Sequence, residues 1–334
     1  MYEDYISRGF EQNVGMNNVK YMISTAYENN LVKERFGENR QAGVTDLDKF
    51  DLIVFSYYSW FDDRLADVLN SNTSATKIYI DNEDNFFIKG IANHSEIKYY
   101  FKRELYKKFD PIYIAEWTLR YLYGGYLVTY KRNRSRQKIK YFLNPLFQPC
   151  RYSVEGSHEK LKPLSLAYNP TFKRPPSVSK NREYDVTMVA NRQNIKERWQ
   201  VSDQLLQIKN EFTNNNILFS DGGYNKEEYL KILADSKSSV SVRGYGCDTF
   251  RYWEIAYNGA MLISQKLPII IPDDFIEGES ALFFTQPTEL REKFKKYVVD
   301  SDEWKEVAKN GQRRYLKYHT PKARVKNQIL KYLK

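Results

Sequence analysis

The sequence predicts an α/β protein of two Rossmann-like, doubly wound halves facing across a cleft. Three observations carry that prediction. Short β-branched or aromatic runs alternate with helix-compatible stretches, the pattern of parallel sheets covered on both faces. Between residues 145 and 180 the chain collects Pro145, Pro149, Pro163, Pro170, Pro175 and Pro176 with little periodicity, which marks a linker. A length of 334 residues with 42% apolar content suits two cores of ordinary size.

In the first half, residues 51–56 and 77–81 read as strands and 112–115 as a weaker third. Residues 60–70 and 93–109 between them read as helices. In the second half, 184–190 is a buried-strand run, followed by a helix over 194–212 whose apolar positions include Trp199, Leu205, Leu206 and Ile208. Strand 217–220, helix 226–234, strand 239–243, helix 248–258 and strand 260–264 come next. Residues 282–284 form a last short strand, and the remainder is helical. Right-handed crossovers make this a doubly wound sheet. The expected organisation is therefore 1–165, 166–320, and a basic C-terminal helix over 321–334 that crosses back to the first half.

Composition excludes collagen, disulfide-scaffold and wholly disordered classes. Cys150 and Cys247 have no CxxC partners, so neither a zinc site nor a disulfide framework is expected. The apolar run around 267–271 is too short to cross a bilayer, and Met1-Tyr2-Glu3-Asp4 opens unlike a signal peptide. A cytoplasmic protein is expected. Lys and Arg total 52 against 42 acids, a formal charge of +10 that favours anionic ligands. The bases concentrate in 131–138 and in 313–334, which holds no acid. Both read as solvated faces, or as surfaces for the inner face of an anionic membrane or for nucleic acid.

One loop carries most of the chemistry. Arg243-Gly244-Tyr245-Gly246 is followed by Asp248-Thr249 and by Arg251 and Glu254 in the first turns of a helix. Gly244 and Gly246 let backbone approach a ligand. Asp248 or Thr249 is placed to cap the helix. The helix terminus with Arg243 and Arg251 then suits a phosphate. Arg251 and Glu254, three apart, share a face; Phe250, Trp253 and Tyr257 point to the core. Arg192, after the strand at 184–190, occupies a similar rim position. Asp221-Gly222-Gly223-Tyr224 reads as a turn at the same sheet edge, with the nucleotide base as its alternative occupant. Residues 268–272 are a candidate floor for the sugar.

From Arg243 through Arg251-Tyr252-Trp253-Glu254 to Ser264, the sequence resembles the donor-site signature of GT-B glycosyltransferases, closest to CgeB-like and group 1 members and distantly exostosin-like. Lys317-Tyr318-His319-Thr320, followed by Arg324, is similar to the closing His-Thr…Arg element of the CgeB-like set. Tyr100-Phe101-Lys102-Arg103-Glu104 resembles a short signature in the first half. The resemblance covers about 184–330. The commonest group 1 pattern has two glutamates eight positions apart; here Glu254 holds the second place and Gly246 the first. What the resemblance implies is a metal-independent sugar transfer from a UDP- or GDP-sugar, with no tightly bound cofactor and with Glu254 on the ribose.

Such a transfer needs charge stabilisation on the leaving diphosphate and a base near the acceptor hydroxyl. Asp81, Glu83 and Asp84 follow a predicted strand directly, and clustered carboxylates raise one another's pKa, which suits a base. His94 is a second candidate, Asp62-Asp63 a third, and His319 either reaches the cleft or caps a helix. The expected acceptor is a glycan, lipid-linked saccharide, protein or small molecule held by the first half. Two further readings stay open: a DNA-modifying, phage-type glycosyltransferase holding nucleic acid through Arg132, Arg134 and Arg136, and a non-catalytic binding protein.

Overall fold

The computed structural model describes residues 3–15, 21–22, 40–41, 47–56, 63–81, 90–105, 107, 159–165, 175–179, 181–190, 195–244 and 246–334. Helix α1 (Glu3–Val14) and a short parallel pair, β1 (Tyr21–Met22) and β2 (Arg40–Gln41), come first. The first main sheet then contains β3 (Leu52–Ser56), β4 (Thr76–Asp81), β5 (Ile97–Arg103) and β6 (Leu161–Leu164), in that order and all parallel. Helix α2 (Asp63–Asn70) connects β3 to β4.

The second sheet is built from β7 (Tyr184–Val189), β8 (Ile217–Ser220), β9 (Ser236–Ser241), β10 (Met261–Gln265) and β11 (Leu282–Phe284). Helices α3 (Lys196–Glu211), α4 (Lys226–Ala234) and α5 (Phe250–Tyr257) form its first crossovers. After it come α6 (Glu289–Phe294), α7 (Glu303–Arg314) and α8 (Pro321–Arg324), each continued by a wider π-type turn. The spatial order is β11-β10-β9-β7-β8, again all parallel. The chain runs from β7 to β8 on one side and then crosses to β9 on the other. The strand order therefore reverses between β7 and β9, and in open parallel sheets the crevice outside the carboxyl ends at that reversal is where ligands bind.

Burial on both faces explains the strand sequences. In β4, Ile78 and Ile80 enter one core, while Tyr79, between them, enters another with Phe55, Leu69 and Tyr100. The first of these cores is shared: Ile78, Ile80 and Phe101 of the first sheet join Trp253, Tyr315, Val325 and Ile329 from the C-terminal half, with Ile6 and Phe10 of α1. Beyond α8, the Tyr332 ring lies 5.8 Å from Tyr99 and 6.0 Å from Phe101 on β5. Among the described residues no helix is long and apolar enough to cross a membrane.

Three expectations need correction. Residues 93–109 were expected to be helical, but 97–103 form β5. Ile97, Tyr99, Tyr100 and Phe101 are strand formers, and the helix-like charges beside them, Lys102, Arg103 and Glu104, are buried by pairing. The proline-rich stretch expected to be linker contains β6. Pro163 is tolerated there because β6 is the edge strand, where a missing N–H breaks no ladder. The strand expected at 239–243 begins at Ser236. Its serines are polar yet buried, because Ser238 Oγ donates to Asp185 O at 2.7 Å and Ser239 Oγ to Thr187 O at 3.1 Å. The weak strand at 112–115 and the basic run 131–138 lie outside the described residues.

Gly311 tests the seating of α7. A Cβ there would stand 2.6 Å from the Ser280 carbonyl oxygen, a backbone atom that cannot rotate away. The usual helix-propensity gain of Gly→Ala, about 1 kcal/mol, is outweighed by overpacking of about 1–3 kcal/mol. Gly311→Ala is expected to lower unfolding free energy, by up to about 2 kcal/mol, in urea titration.

Candidate functional site

The loop leaving β9 occupies the reversal point. The Gly244 N–H donates to Gly246 O at 3.1 Å, closing a tight turn, and a Cβ on Gly244 would meet Arg198 Nη2 and Thr249 Cγ2 at 3.4 Å each. Thr249 is the N-cap of α5, and its Oγ1 is buried with no hydrogen-bond partner among the described residues. Asp248, also expected to cap, does something else. Its carboxylate is buried against Arg103 of β5, with Oδ1 accepting from Nε at 2.9 Å and lying 2.8 Å from Nη2.

Arg251 and Glu254 do share a face at the start of α5. Glu254 is only 4% exposed. Its Oε2 accepts from the Tyr229 hydroxyl at 2.9 Å, and Oε1 pairs with Lys226, the half-exposed first residue of α4. Arg251 Nε and Nη1 are buried and have no hydrogen-bond partner among the described residues. Burial pushes the Tyr229 phenol well above its ordinary value, the Glu254 carboxylate adds to that, and Arg251 opposes it. The guanidinium, the carboxylate and the phenol thus form one cluster, to which Lys226 adds its ammonium, 5.2 Å over the Tyr229 ring. Lys226 and Tyr229 were not singled out in the sequence. The available signal was their position in the first turn of a helix entered from the same sheet edge. The preceding turn has Gly222 at φ 110° and Gly223 at φ 92°, with nothing within 4 Å of where either Cβ would stand. Only glycine adopts that pair of conformations readily.

Other predicted residues fall elsewhere. Arg243 is buried with Nη2 2.7 Å from Glu197 Oε1, so its guanidinium is engaged with the start of α3. Asp81 does end β4 on the cleft side, but it is fully enclosed: Oδ2 lies 3.2 Å from Lys102 Nζ and accepts from Tyr100 Oη at 2.5 Å. It is the counter-ion of a buried lysine, not a carboxylate offered to an acceptor. His94 is at the amino end of β5, the opposite edge from the cleft, where its Nδ1 accepts from Glu96 N at 3.3 Å. Neither geometry suits the expected base. Glu83, Asp84, Arg192, Tyr245 and Asp62 lie outside the described residues, and of Asp63 only the backbone is described. Residues 268–272, the expected floor, pair with the first half: Lys107 N donates to Pro268 O at 2.9 Å and Ile270 N to Leu105 O at 2.7 Å. Among the described residues, no group of three or more His, Cys, Asp and Glu is placed to hold a metal ion.

His319 is sealed behind α5. Its ring centroid is 4.8 Å from that of Trp253 and 5.4 Å from that of Phe275. Arg324 Nη2 donates to Nδ1 at 3.2 Å, so the ring proton sits on Nε2, which donates to Asp273 O at 2.9 Å. The Arg324 guanidinium stacks 4.1 Å over the Trp253 ring and also bonds Ser165. Burial, with the Arg324 charge second, holds His319 well below the ordinary histidine range.

Residues 190–330 match the family model described as Glycosyl transferase-like. Among solved structures, the chain is similar to a glycosyltransferase from Rickettsia africae ESF-5, with 8% identity and a TM-score of 0.54 over 98% of this chain and 93% of that one. It is also similar to an S. aureus TarM variant solved with fondaparinux, alpha-GlcNAc-glycerol and UDP. There the identity is 11% and the TM-score 0.45, over 75% of this chain and 54% of TarM. The C-terminal domain of LpcC, a group 1 family protein from Francisella tularensis, aligns at 12% identity with a TM-score of 0.33, over 42% of this chain and 93% of its own. This chain spans about half the length of TarM. At such identities the likeness concerns the fold, and the two-domain Rossmann-like architecture expected from the sequence is the one present. No curated protein matches.

The neutral His319 gives a pH signature. Below about 6.5, the ordinary value, the unfolded chain takes up a proton that the folded chain refuses. This stability is therefore fully present above that pH and is lost as pH falls through it. Between pH 7 and 5.5, unfolding free energy is expected to drop more steeply in the native chain than in His319→Gln. The difference should approach ~1.4 kcal/mol per pH unit, read by urea titration.

Proposed function

With a glycosyl transferase-like domain over residues 190–330 as premise, we propose that this chain transfers a sugar from a nucleotide-sugar to an acceptor hydroxyl. The observation that carries the proposal is Arg251. Two of its guanidinium nitrogens are buried and, among the described residues, without hydrogen-bond partners, beside Glu254 and at the amino end of a helix that opens from the strand-order reversal. An orphaned buried donor is costly to keep, on the order of 1–3 kcal/mol, and an anionic ligand relieves that cost.

In this reading the diphosphate lies against Arg251, Thr249 and the 244–249 turn, where the helix dipole favours negative charge. As the glycosidic bond breaks, charge builds on the leaving β-phosphate, and fixed guanidinium donors stabilise it without having to reorganise. That role is the one a divalent cation would otherwise take, so the transfer proceeds without metal. Glu254 accepts from the ribose diol, with Lys226 moving aside and Tyr229 holding the second carboxylate oxygen. Gly222 and Gly223 leave an open shelf for the base. The first half, whose β4 and β5 end at the same cleft, holds the acceptor. UDP- and GDP-sugars are both compatible donors.

Isothermal titration with UDP and GDP tests this. One of the two is expected to bind the native chain in the presence of EDTA. Arg251→Ala should weaken binding roughly 10- to 100-fold, the range for losing a charge-assisted hydrogen bond. Glu254→Ala should weaken nucleotide binding while leaving inorganic pyrophosphate binding within about twofold, since it acts on the ribose. A native chain that binds neither nucleotide, or an Arg251→Ala chain that binds like the native, would defeat the assignment.

A further inference from the structure

The donor-site reading gives no role to two neighbouring buried charges, Arg103 and Glu104. Arg103 ends β5 in the first sheet and Glu104 follows it directly, yet both side chains engage the donor loop of the second. Arg103 Nε and Nη2 lie 2.9 and 2.8 Å from Asp248 Oδ1, and Nη2 also donates to Asp248 O at 3.1 Å. Glu104 Oε1 accepts from the Cys247 N–H at 2.5 Å. All four residues are buried. Consecutive residues of a strand point to opposite faces, so neighbours cannot ordinarily serve one target. Glu104 escapes that rule by taking φ 59°, a left-handed conformation uncommon for a side chain of its kind. Such strain in a buried residue persists only where its surroundings over-determine it, and it concentrates at functional sites.

The contact also solves an electrostatic problem. Asp248 stands two residues before α5, beside the turn assigned to the diphosphate. A bare carboxylate there would repel the ligand, strongly so because the site is buried. Arg103 spends its charge on that carboxylate. Glu104 fixes the Cys247 amide, and with it the path of the turn. The neighbouring backbone bonds, Lys107 N to Pro268 O and Ile270 N to Leu105 O, tie the same first-half segment to the loop beyond β10.

We propose that Arg103 and Glu104 are positioning residues for the donor site. They hold residues 246–249 in shape and mask Asp248, so the second half binds its diphosphate only with the first half docked against it. This rests on the donor-site reading. The test is isothermal titration with UDP and uridine, and with GDP and guanosine, on the native chain, Arg103→Met, the double variant Arg103→Met/Asp248→Asn, Glu104→Gln and Glu104→Ala, each checked for a cooperative melt. Arg103→Met is expected to weaken the diphosphate nucleotide tenfold or more while its nucleoside stays within twofold. Removing the unmasked acid as well, in the double variant, should restore most of that loss. Glu104→Gln keeps an acceptor for the Cys247 amide and should bind like the native chain, whereas Glu104→Ala should not; this pair decides the matter if Arg103→Met fails to fold. Native-like diphosphate affinity in both Arg103→Met and Glu104→Ala would overturn the inference. So would nucleoside and diphosphate weakening in equal proportion, which means mere loosening. A native chain that binds neither UDP nor GDP overturns the donor-site reading itself, and this inference with it.

Discussion

Charges buried where two parallel sheets present their carboxyl ends to each other must find partners there, because an unpaired ion in that setting is far costlier than a paired one. Asp248 comes from the second sheet and its partner Arg103 from the first. Asp81 and Lys102 satisfy each other within the first sheet, and Glu254 is satisfied by Tyr229 and Lys226 within the second. The first of these pairs joins the halves, so the geometry of the glycine turn is not a property of one domain alone. Among the described residues, the buried polar atoms that this pairing leaves without a hydrogen-bond partner near the turn include Thr249 Oγ1 and the Nε and Nη1 of Arg251.

Parallel topology accounts for the location. Every strand of both main sheets points the same way as its neighbours, and the reversal between β7 and β9 opens a gap that no crossover fills. Among the described residues, the loop after β9, which carries the glycine turn, borders it. The turn after β8, with its two left-handed glycines, stands on the same sheet edge. Separate stretches of sequence therefore converge because of strand order.

Much of this was legible in the residues. The second sheet follows buried β-branched runs separated by helices of ordinary length, and β8, α4 and β11 fall where the pattern puts them. The Arg251–Glu254 face follows from helical spacing alone. Local pattern failed where a distant partner decides the outcome. Lys102, Arg103 and Glu104 read as helix surface because nothing nearby in sequence announces Asp81, Asp248 and the Cys247 amide. The start of β9 is a serine run made tolerable inside a sheet by partners that include the Ile232, Asp185 and Thr187 carbonyls. Pro163 argues against a strand until the sheet order shows β6 at the edge. Asp81 and His94 had suitable chemistry, but one is enclosed with a lysine and the other sits at the wrong end of its strand.

The shared core has an implication for how the molecule is made. Ile78, Ile80 and Phe101 are covered partly by Val325 and Ile329, while Ser165 is bonded by Arg324 and Gln328. A ribosome delivers the amino-terminal half first, at a few to about twenty residues per second. For the seconds needed to translate the remainder, that half carries an uncovered apolar face. The apolar face of the earlier-born sheet is therefore covered in full only once residues 325–329 have been made and docked.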